Sequence, residues 1–373
     1  MRILGIERDK TACNHYRILQ PLMKLRELRL ADTMTISEED ILHSSETALQ
    51  KILESDVVIF QRPASEDWLR FIKVAQKAGK IIVVDYDDDP FNTNPLSPAY
   101  RHFGTEEVAM KWQDGKTDML WADGIDGFDI EKNIRHRDLF NANFRKADMI
   151  TCTTDELAES FRKVNPNVVV LPNLIDFSLY PKVEFVKKGV RILWQGGSSH
   201  YEDLYMVKDA LIRILKKHPE VTFVYFGEMR FKNLFKDAPQ SQIEWHPWVS
   251  HQVYPYKLAT LNCDIGLCPV TDNKFNRNKS AIKWMEYSVM GMATIASNIP
   301  PYSTVIADSY DGYLVEDHGW ESAIEQLINQ REYRETLAKN AYQTVFENHN
   351  ADTKAHLWKD AFERLLKTEL VEV

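Results

Sequence analysis

The amino-acid sequence predicts an α/β protein with two parallel-sheet domains that face a central cleft. Short apolar runs rich in β-branched residues alternate with amphipathic helical segments along the whole chain, and this alternation indicates parallel sheets. The length of 373 residues fits two domains. A linker at 172–189 contains two prolines and predicts the boundary. We therefore expect domains at 1–175 and 176–350, and a C-terminal helix within 351–373 that packs back toward the first domain.

In the first half, five short apolar runs predict strands, and helical segments lie between them. The predicted strands are 2–6, 56–60, 81–85, 148–152 and 168–171. The predicted helices are 15–28, 45–54, 66–78, 135–146 and 156–164. Residues 92–134 fit neither pattern. Their turn signals Asp114-Gly115 and Asp123-Gly124 predict an insertion that contains a hairpin.

The second half repeats the alternation of strands and helices. The predicted strands are 190–194, 221–226, 243–245, 264–270, 293–296 and 313–315. The predicted helices are 202–217, one that ends near 261, one that includes 281–289, and then 321–329, 332–347 and 353–368. Gly291 stands where a helix C-cap belongs, because glycine adopts the left-handed conformation that such a cap requires.

Composition argues against several classes of protein. With a net charge of −9, the chain lacks the broad basic surface of a nucleic-acid-binding protein, although the local cluster Arg135-His136-Arg137 remains. The four scattered cysteines predict reduced thiols in a cytoplasmic protein, with neither disulfides nor a metal site. No apolar stretch approaches the roughly 18 residues of a membrane span, so we expect none, while peripheral contact with a membrane stays open. The oligomeric state is not indicated.

The strongest functional signal lies at 273–299. Lys274, Arg277 and Lys279 precede an apolar-periodic helix, and a helix N-terminus beside such cations binds anions, phosphate above all. Glu286 is a lone carboxylate in this helix, and a carboxylate near phosphate suits the two hydroxyls of a ribose. The alternative is an ordinary amphipathic helix with a solvated basic end.

Two loops that follow strands are further candidates. The turn Gln195-Gly196-Gly197-Ser198-Ser199-His200 joins a strand to a helix, where backbone can approach phosphate closely. After the first strand come the polar residues Asp9, Asn14, His15, Tyr16 and Arg17, at the sheet edge where ligands bind in open α/β folds. For this second loop the alternative is a capped helix start, with Asn14 as the N-cap.

The acidic run after the third strand contains Asp85, Asp87, Asp88 and Asp89. Carboxylates this close repel one another, so we expect some to be exposed or hydrogen-bonded. One of them could act as a general base or bind sugar hydroxyls. The alternatives are an acidic loop that caps the next segment and, with less support, a metal-binding Asp-x-Asp motif.

Three stretches resemble the GT-B glycosyltransferases of family 4. They are ADMITCTTDELAESF with NVVVLPNLIDFSLY, WQGGSSHYEDL, and DIGLCPV with NKSAIKWMEYSVMGMATIASNIPPY. The resemblance runs from Ala147 to the C-terminus, and the segment CNHYRILQPLMKL is similar to the start of bacterial and phage-encoded members. It implies two Rossmann-like domains and transfer of a sugar from a nucleotide-diphosphate sugar, with a UDP-sugar favoured and no bound metal or other cofactor.

The resemblance also implies residue roles. Glu286 matches the second glutamate of the family's E-x7-E motif, which binds the ribose, whereas the position of the first glutamate holds Asn278. The family's Arg and Lys pair after the glycine turn is absent. The implied donor-binding residues are Gly196, Gly197, Ser198, His200, Trp248, Val249, Arg277, Asn278, Lys279, Ser280 and Glu286. The candidate acceptor-binding residues are Asp9, Asn14, Tyr16 and Arg17.

The resemblance implies retention of the anomeric configuration, for which no protein base is strictly required. If the reaction inverts the configuration, a base is needed, and His15, Asp87 and Asp88 are the catalytic candidates. The expected acceptor is a glycan or a lipid-linked saccharide. Two alternatives stay open, a phage-type enzyme that glycosylates a hydroxymethylated DNA base and a nucleotide-sugar-binding protein with weakened catalysis.

Overall fold

The computed structural model divides the chain into two compact units. Unit 1 comprises Met1–Leu174 and Ala351–Val373, and unit 2 comprises Ile175–Asn350. The residues that the structure describes are 1–111, 116–182, 189–227 and 229–369. The last part of the chain thus belongs to the same unit as its beginning.

Unit 1 is built on a six-stranded parallel sheet with the order β2-β1-β3-β4-β7-β8. The strands of this unit are β1 Arg2–Glu7, β2 Asp32–Ser37, β3 Val57–Gln61, β4 Ile81–Asp85, β5 Val108–Lys111, β6 Thr117–Trp121, β7 Met149–Cys152 and β8 Val168–Val170. The central strands β3 and β4 are buried throughout because helices cover both faces of the sheet. The strand order reverses between β1 and β3.

The helices of unit 1 follow the predicted pattern, with additions. They are Ala12–Asn14, the π-helical turn His15–Leu19, Gln20–Glu27, Glu38–His43, Ser45–Glu54, Glu66–Lys77, Tyr100–Phe103, Ile130–Lys146, Asp155–Arg162, Ala351–Lys354 and His356–Glu369. Trp358 and Phe362 of the last helix are buried in one apolar cluster with Leu22 and Leu25. The C-terminal helix therefore completes the core of unit 1.

Strand β2 is absent from the sequence-based prediction. It pairs in parallel with β1 at the edge of the sheet, with Ile3 opposite Thr33. Its residues alternate between polar and apolar, and only Thr33 and Ile36 are buried. An edge strand of this kind has no continuous apolar run, so the pattern that identifies the central strands does not detect it.

The predicted hairpin within 92–134 is present. Strands β5 and β6 pair antiparallel and form a separate two-stranded sheet. The predicted turn at Asp114-Gly115 lies outside the described residues. Gly124 has a φ of 77°, which fits the second turn signal, Asp123-Gly124, because glycine tolerates this backbone conformation.

Unit 2 contains a second six-stranded parallel sheet, with the order β11-β10-β9-β12-β13-β14. Its strands are β9 Val190–Gly196, β10 Val221–Gly227, β11 Ile243–His246, β12 Ile265–Cys268, β13 Ala293–Ser297 and β14 Tyr313–Val315. This is the order of the doubly wound Rossmann sheet, which reverses between β9 and β12. The predicted fold class of two parallel-sheet domains is confirmed.

The helices of unit 2 surround this sheet. The α-helices are Tyr201–Lys217, Tyr254–Leu261, Lys274–Arg277, Ile282–Val289, Trp320–Asn329 and Arg331–His349, and the 3₁₀ turns are Phe177–Leu179, Ser198–His200, Met229–Phe235 and Gln240–Gln242. Gly291 follows the helix Ile282–Val289 with a φ of 71°, as expected of a glycine C-cap.

A buried ion pair connects several strand ends of unit 1. The Arg17 guanidinium donates to Asp85 at 2.7 Å and to the carbonyl oxygen of Leu171, and Thr151 also donates to Asp85 at 2.7 Å. Arg17 is only 1% exposed, and its guanidinium carbon lies 5.7 Å from the Trp358 ring centroid. Arg17 therefore joins the ends of β4 and β8 to the C-terminal helix.

We expect Arg17→Met to lower the free energy of unfolding of unit 1 by about 3–5 kcal/mol, because Asp85 would remain buried without its counter-charge. Hydrogen exchange of peptides from β4 measures this free energy for unit 1 alone. The control is Arg2→Met, whose exposed ion pair with Asp32 should contribute less than about 1 kcal/mol. Equal losses in the two variants would contradict the structural role of Arg17.

Candidate functional site

The candidate site lies at the carboxyl edge of the unit 2 sheet, where the strand order reverses between β9 and β12. Ligands of doubly wound sheets bind at this point. Strand β9 ends at Gly196, and a Cβ atom at Gly196 would lie 2.5 Å from the Trp194 ring. Glycine is thus required here by packing. At Gly197 a Cβ atom would meet nothing within 4 Å, so the turn leaves open space beside its backbone.

A buried carboxylate forms the centre of the site. Glu286 Oε2 accepts a hydrogen bond from Gln195 Nε2 at 2.7 Å, and the Tyr254 hydroxyl lies 2.7 Å from both Glu286 Oε2 and Gln195 Oε1. All three side chains are buried. Burial and the neighbouring Glu286 raise the pKa of Tyr254 well above its usual value, so its hydroxyl stays protonated. The carboxylate is therefore held in one orientation by neutral groups.

Lys283 lies beside this carboxylate, one turn earlier in the same helix. Its Nζ is enclosed and has no hydrogen-bond partner among the described residues, and it lies 5.6 Å from the Trp194 ring centroid. Burial lowers the pKa of Lys283 to about 8, although Asp203, Cys268 and Glu286 oppose the shift. An anionic ligand would favour the charged ammonium. Lys283 is not among the residues predicted from the sequence, although its spacing of three residues from Glu286 puts both on one helix face.

A histidine and an aspartate lie next to Lys283. His200 Nδ1 is 2.7 Å from Asp203 Oδ2. Burial, together with the charges of Lys283 and Lys279, lowers the pKa of His200 to about 3, so its imidazole is neutral at pH 7. Burial opposes ionisation of Asp203, but the hydrogen bond with His200 and the two lysines lower its pKa to about 2. A neutral His200 must donate its Nδ1 proton to Asp203, which fixes the tautomer.

Asp203 also organises the cationic segment of the site. Its Oδ1 accepts from the Thr271 backbone N–H at 2.9 Å and from Asn276 Nδ2 at 3.2 Å. Lys279 Nζ lies 4.7 Å from the Phe275 ring centroid. These contacts connect the start of the helix Tyr201–Lys217 to the segment before the helix Ile282–Val289. Asp203 thus positions the loop that carries Lys279.

The remaining predicted donor residues differ in their surroundings. Arg277 forms an exposed ion pair with Asp272 at 2.5 Å, so its charge is partly compensated. Asn278 is buried, whereas Ser280 is half-buried. The side chain of Ser198 lies outside the described residues. The predicted roles of these residues stay predictions.

An aromatic path leads from the carboxylate toward Trp248. The ring centroids of Tyr254 and Phe226 lie 5.8 Å apart with an angle of 14° between the planes. Those of Phe226 and Trp248 are 5.0 Å apart. Trp248 is 48% exposed and Val249 is half-buried, so both can contact a ligand. The predicted donor residues Trp248 and Val249 therefore lie on the side of the site where Tyr254 meets Glu286.

In unit 1, the residues predicted after β1 differ in accessibility. Asp9 Oδ1 accepts from the Thr11 backbone N–H at 2.8 Å, and Asn14 Nδ2 donates to Glu7 at 2.8 Å. Tyr16 is buried with its ring centroid 5.0 Å from that of His15. His15 is half-buried and begins the π-helical turn. Arg17 is buried, and its bonds to Asp85 and to the carbonyl oxygen of Leu171 give it a structural role, while its predicted contact with an acceptor stays a prediction.

The catalytic candidates Asp87 and Asp88 share an arginine. Arg62 Nε donates to Asp87 at 2.8 Å, and Arg62 Nη2 lies 3.4 Å from Asp88. Burial opposes ionisation of Asp87, but Arg62 lowers its pKa below the usual value. Potential metal-ligating atoms of Cys13, Asp87 and Asp88 lie within 4.8 Å of one another, yet Arg62 already compensates the negative charge there. A strongly ionised Asp87 is a weak general base.

Comparisons with known proteins agree with the fold. Two solved structures cover almost all of the chain. Alr3699/HepE from Anabaena, solved with UDP-glucose, gives a TM-score of 0.64 at 14% identity, over 98% of this chain and 100% of its own. Sucrose-phosphate synthase (tll1590) from Thermosynechococcus elongatus gives 0.62 at 11% identity, over 99% and 100%. The putative teichuronic acid biosynthesis glycosyltransferase TuaH of Bacillus subtilis (strain 168) is 21% identical over 272 residues, which are 66% of this chain and 64% of TuaH.

Two doubly wound parallel sheets with these structural neighbours define the GT-B fold. Residues 181–344 match the family model described as Glycosyl transferases group 1. This part of the chain therefore has the sequence pattern of a group 1 glycosyltransferase domain, which agrees with the resemblance. Within the described residues, no helix combines the length and apolarity that crossing a bilayer requires.

We expect Lys283→Met to stabilise the unliganded protein at pH 6.5 by about 1–3 kcal/mol, because it removes an ammonium that burial disfavours. The pKa of Lys283 is lowered in the folded state, so the charged ammonium destabilises that state most below pH 8. This destabilisation disappears as the pH rises from 8 toward the pKa of the unfolded state, near 10.5. Denaturant unfolding at pH 6.5 and pH 9.5 should therefore show a gain that shrinks at the higher pH.

The matched control for this measurement is Lys216→Met, at an exposed position of the same unit. Its effect should stay within about 0.5 kcal/mol at both pH values. A loss of stability in Lys283→Met at pH 6.5 would show that the ammonium is already well compensated.

Proposed function

We propose that this protein transfers a sugar from a UDP-sugar to a hydroxyl group of a glycan or a lipid-linked saccharide. The observation that carries the proposal is the pair of Glu286, fixed by Gln195 and Tyr254, and Lys283, enclosed without a hydrogen-bond partner among the described residues. A carboxylate acceptor and an ammonium with free hydrogen-bond donors on one helix face match the ribose and the diphosphate of a nucleotide sugar. The UDP-glucose in the structure of Alr3699/HepE supports UDP as the nucleotide.

Glu286 is proposed to bind the ribose. Gln195 and Tyr254 fix the orientation of the carboxylate, and a carboxylate can accept hydrogen bonds from two neighbouring hydroxyl groups. Trp248 and Val249 are proposed to contact the base, because the exposed Trp248 ring offers an apolar face and follows Phe226 and Tyr254 in space.

Lys279 and Lys283 are proposed to bind the diphosphate, in place of the Arg and Lys pair that the chain lacks. The backbone N–H groups at the start of the helix Ile282–Val289, where Ala281 makes no side-chain capping bond, and the open backbone at Gly197 add further donors. Neutral His200 can offer its Nε2 to a ligand only as an acceptor, so we place it beside a sugar hydroxyl or a protonated phosphate oxygen.

These cations give the site its proposed chemistry. Breaking the glycosidic bond leaves negative charge on the departing UDP, and Lys279, Lys283 and the helix N-terminus would stabilise that charge. Diphosphate binding would raise the lowered pKa of Lys283, so UDP binding should take up protons at pH 8–9.

Retention of the anomeric configuration is part of the proposal. The lowered pKa of Asp87, held by Arg62, makes it a poor base and favours a route that needs none. Proton NMR of the glycosylated product reads the anomeric configuration through its coupling constant. An inverted product would contradict retention and would leave Asp88 and His15 as the candidate bases.

We expect UDP to raise the melting temperature of the wild type more than GDP or ADP does, because ligands that bind only the folded state stabilise it. Glu286→Gln should weaken UDP binding about 10- to 100-fold through loss of charge-assisted hydrogen bonds to the ribose. Lys283→Met should weaken UDP about as much, yet leave uridine unchanged, because uridine has no phosphate. Thermal-shift titrations with UDP and uridine measure both effects.

The control for these variants is Glu332→Gln, an exposed position in unit 2 that should leave both ligands unaffected. Absence of any nucleotide shift in the wild type would refute the donor site. UDP binding without release of sugar from any UDP-sugar, with or without saccharide acceptors, would favour the weakened binding protein, to which Asn278 in the first-glutamate position points.

A further inference from the structure

Unit 1 contains a second cavity at a sheet edge that none of the assigned roles uses. It measures about 780 Å³ and lies where the strand order of unit 1 reverses, between β1 and β3. Arg8, which follows β1, and Ala64 and Ser65, which follow β3, form one side of it. The Arg8 backbone N–H donates to Gln61 Oε1 at 3.2 Å and connects the two strand ends. Position and size match those of ligand sites in open α/β sheets.

The opposite side of this unit 1 pocket is one face of the helix Ile130–Lys146. Lys132, Arg135, His136 and Leu139 line the pocket at the spacing i, i+3, i+4 and i+7. Lys132 has no ion-pair partner in the described part of the chain, and the Arg135–Glu131 pair is largely exposed and therefore weak. Of the basic cluster Arg135-His136-Arg137, two members thus face the pocket, while Arg137 donates to Thr105 at 3.0 Å.

Basic side chains outnumber acidic ones in the lining of the pocket, with Arg8, Lys132 and Arg135 against Glu66 and Asp138. The N-terminal end of the helix Glu66–Lys77 also lines it, and a helix dipole favours anions there. Burial lowers the pKa of His102, and the neighbouring Arg101, His136 and Lys132 add to the effect, as expected where cations outnumber anions. Glu66 and Asp138 also line the pocket, so it is not a uniformly basic surface.

The pocket also has features of a saccharide site. The rings of Phe103 and His136 stack with centroids 5.1 Å apart, and they present an aromatic wall. The carboxylates of Glu66 and Asp138 can accept hydrogen bonds from sugar hydroxyls, which a phosphate-only site would not need. The pocket therefore has separate groups that can contact the hydroxyls, the ring face and the negative charge of an acidic sugar.

We infer that this pocket binds an acidic saccharide, with Lys132 and Arg135 on its carboxylate or phosphate group. The inference rests on the proposed function, because it makes the pocket the acceptor site of the same enzyme. A nucleic acid is the less favoured occupant, since acidic residues lie among the cations.

The test compares binding of methyl glucoside, methyl glucuronide and methyl glucoside 6-phosphate by ligand-observed NMR. We expect the wild type to bind at least one of the two anionic glycosides about tenfold more tightly than the neutral one. The double variant Lys132→Ala/Arg135→Ala should remove this preference, and both positions are exposed, so the fold should persist. Preference for the glucuronide assigns a uronic acid, and preference for the phosphate assigns a phosphorylated sugar.

The matched control is Arg145→Ala/Lys146→Ala, which removes the same charge from the far end of the same helix, about 15–20 Å away. It should keep the preference. The inference is overturned if the neutral glycoside binds as tightly as the anionic ones, or if the control loses the preference equally. It is also overturned if a short DNA duplex, but no glycoside, binds in a way that depends on Lys132 and Arg135.

Titration of the same variants with UDP separates the two proposals. Both double variants should bind UDP as the wild type does, because every residue proposed for the donor lies in unit 2. If UDP fails to bind the wild type while the anionic preference is present, the proposed function fails and the pocket remains a site for acidic sugars. If UDP binds and the preference is absent, only the pocket assignment fails.

Discussion

The hydrogen bonds of Glu286 are the contacts on which the candidate site of unit 2 depends. They join three elements that are far apart in sequence, since Gln195 ends β9, Tyr254 begins one helix and Glu286 lies in another. A buried carboxylate without donors would cost several kcal/mol, so this network also determines which residues can occupy those positions. In the proposed function, Glu286 is the member of this network that binds the ribose.

The buried surroundings of the same site disfavour the charged forms of Lys283 and His200. Lys283 is enclosed beside the Trp194 ring with a lowered pKa, and His200 stays neutral beside Asp203. The unliganded protein therefore carries an electrostatic cost that an anion would relieve. Sites that bind charged substrates commonly sacrifice stability in this way. The positive charges of the candidate site therefore come from lysines in and just before the helix Ile282–Val289.

The fold class could be predicted because strands buried on both faces read as continuous apolar runs, as in β3 and β4. The edge strand β2 could not be predicted, because its exposed positions are filled by polar residues.

In the candidate site, Glu286 could be predicted because it is an acidic residue in an apolar helix. Lys283 was overlooked because nothing in a periodic pattern shows that an ammonium will be enclosed. The unit 1 pocket needs β1, β3 and the helix Ile130–Lys146 together, and only tertiary structure shows their proximity.

Because the chain returns to unit 1 at its C-terminal helix, the order in which the two cores can be completed differs from the order of synthesis. Trp358 and Phe362 pack with Leu22 and Leu25, so the core of unit 1 lacks part of its apolar surface until the last helix has been synthesised. Unit 2 is continuous in sequence and contains all of its own strands before that point. During translation, unit 2 can therefore complete its core first, although its residues are synthesised after most of unit 1. A nascent chain stopped near residue 350 would hold a complete unit 2, whereas unit 1 would expose the apolar surface that the C-terminal helix covers.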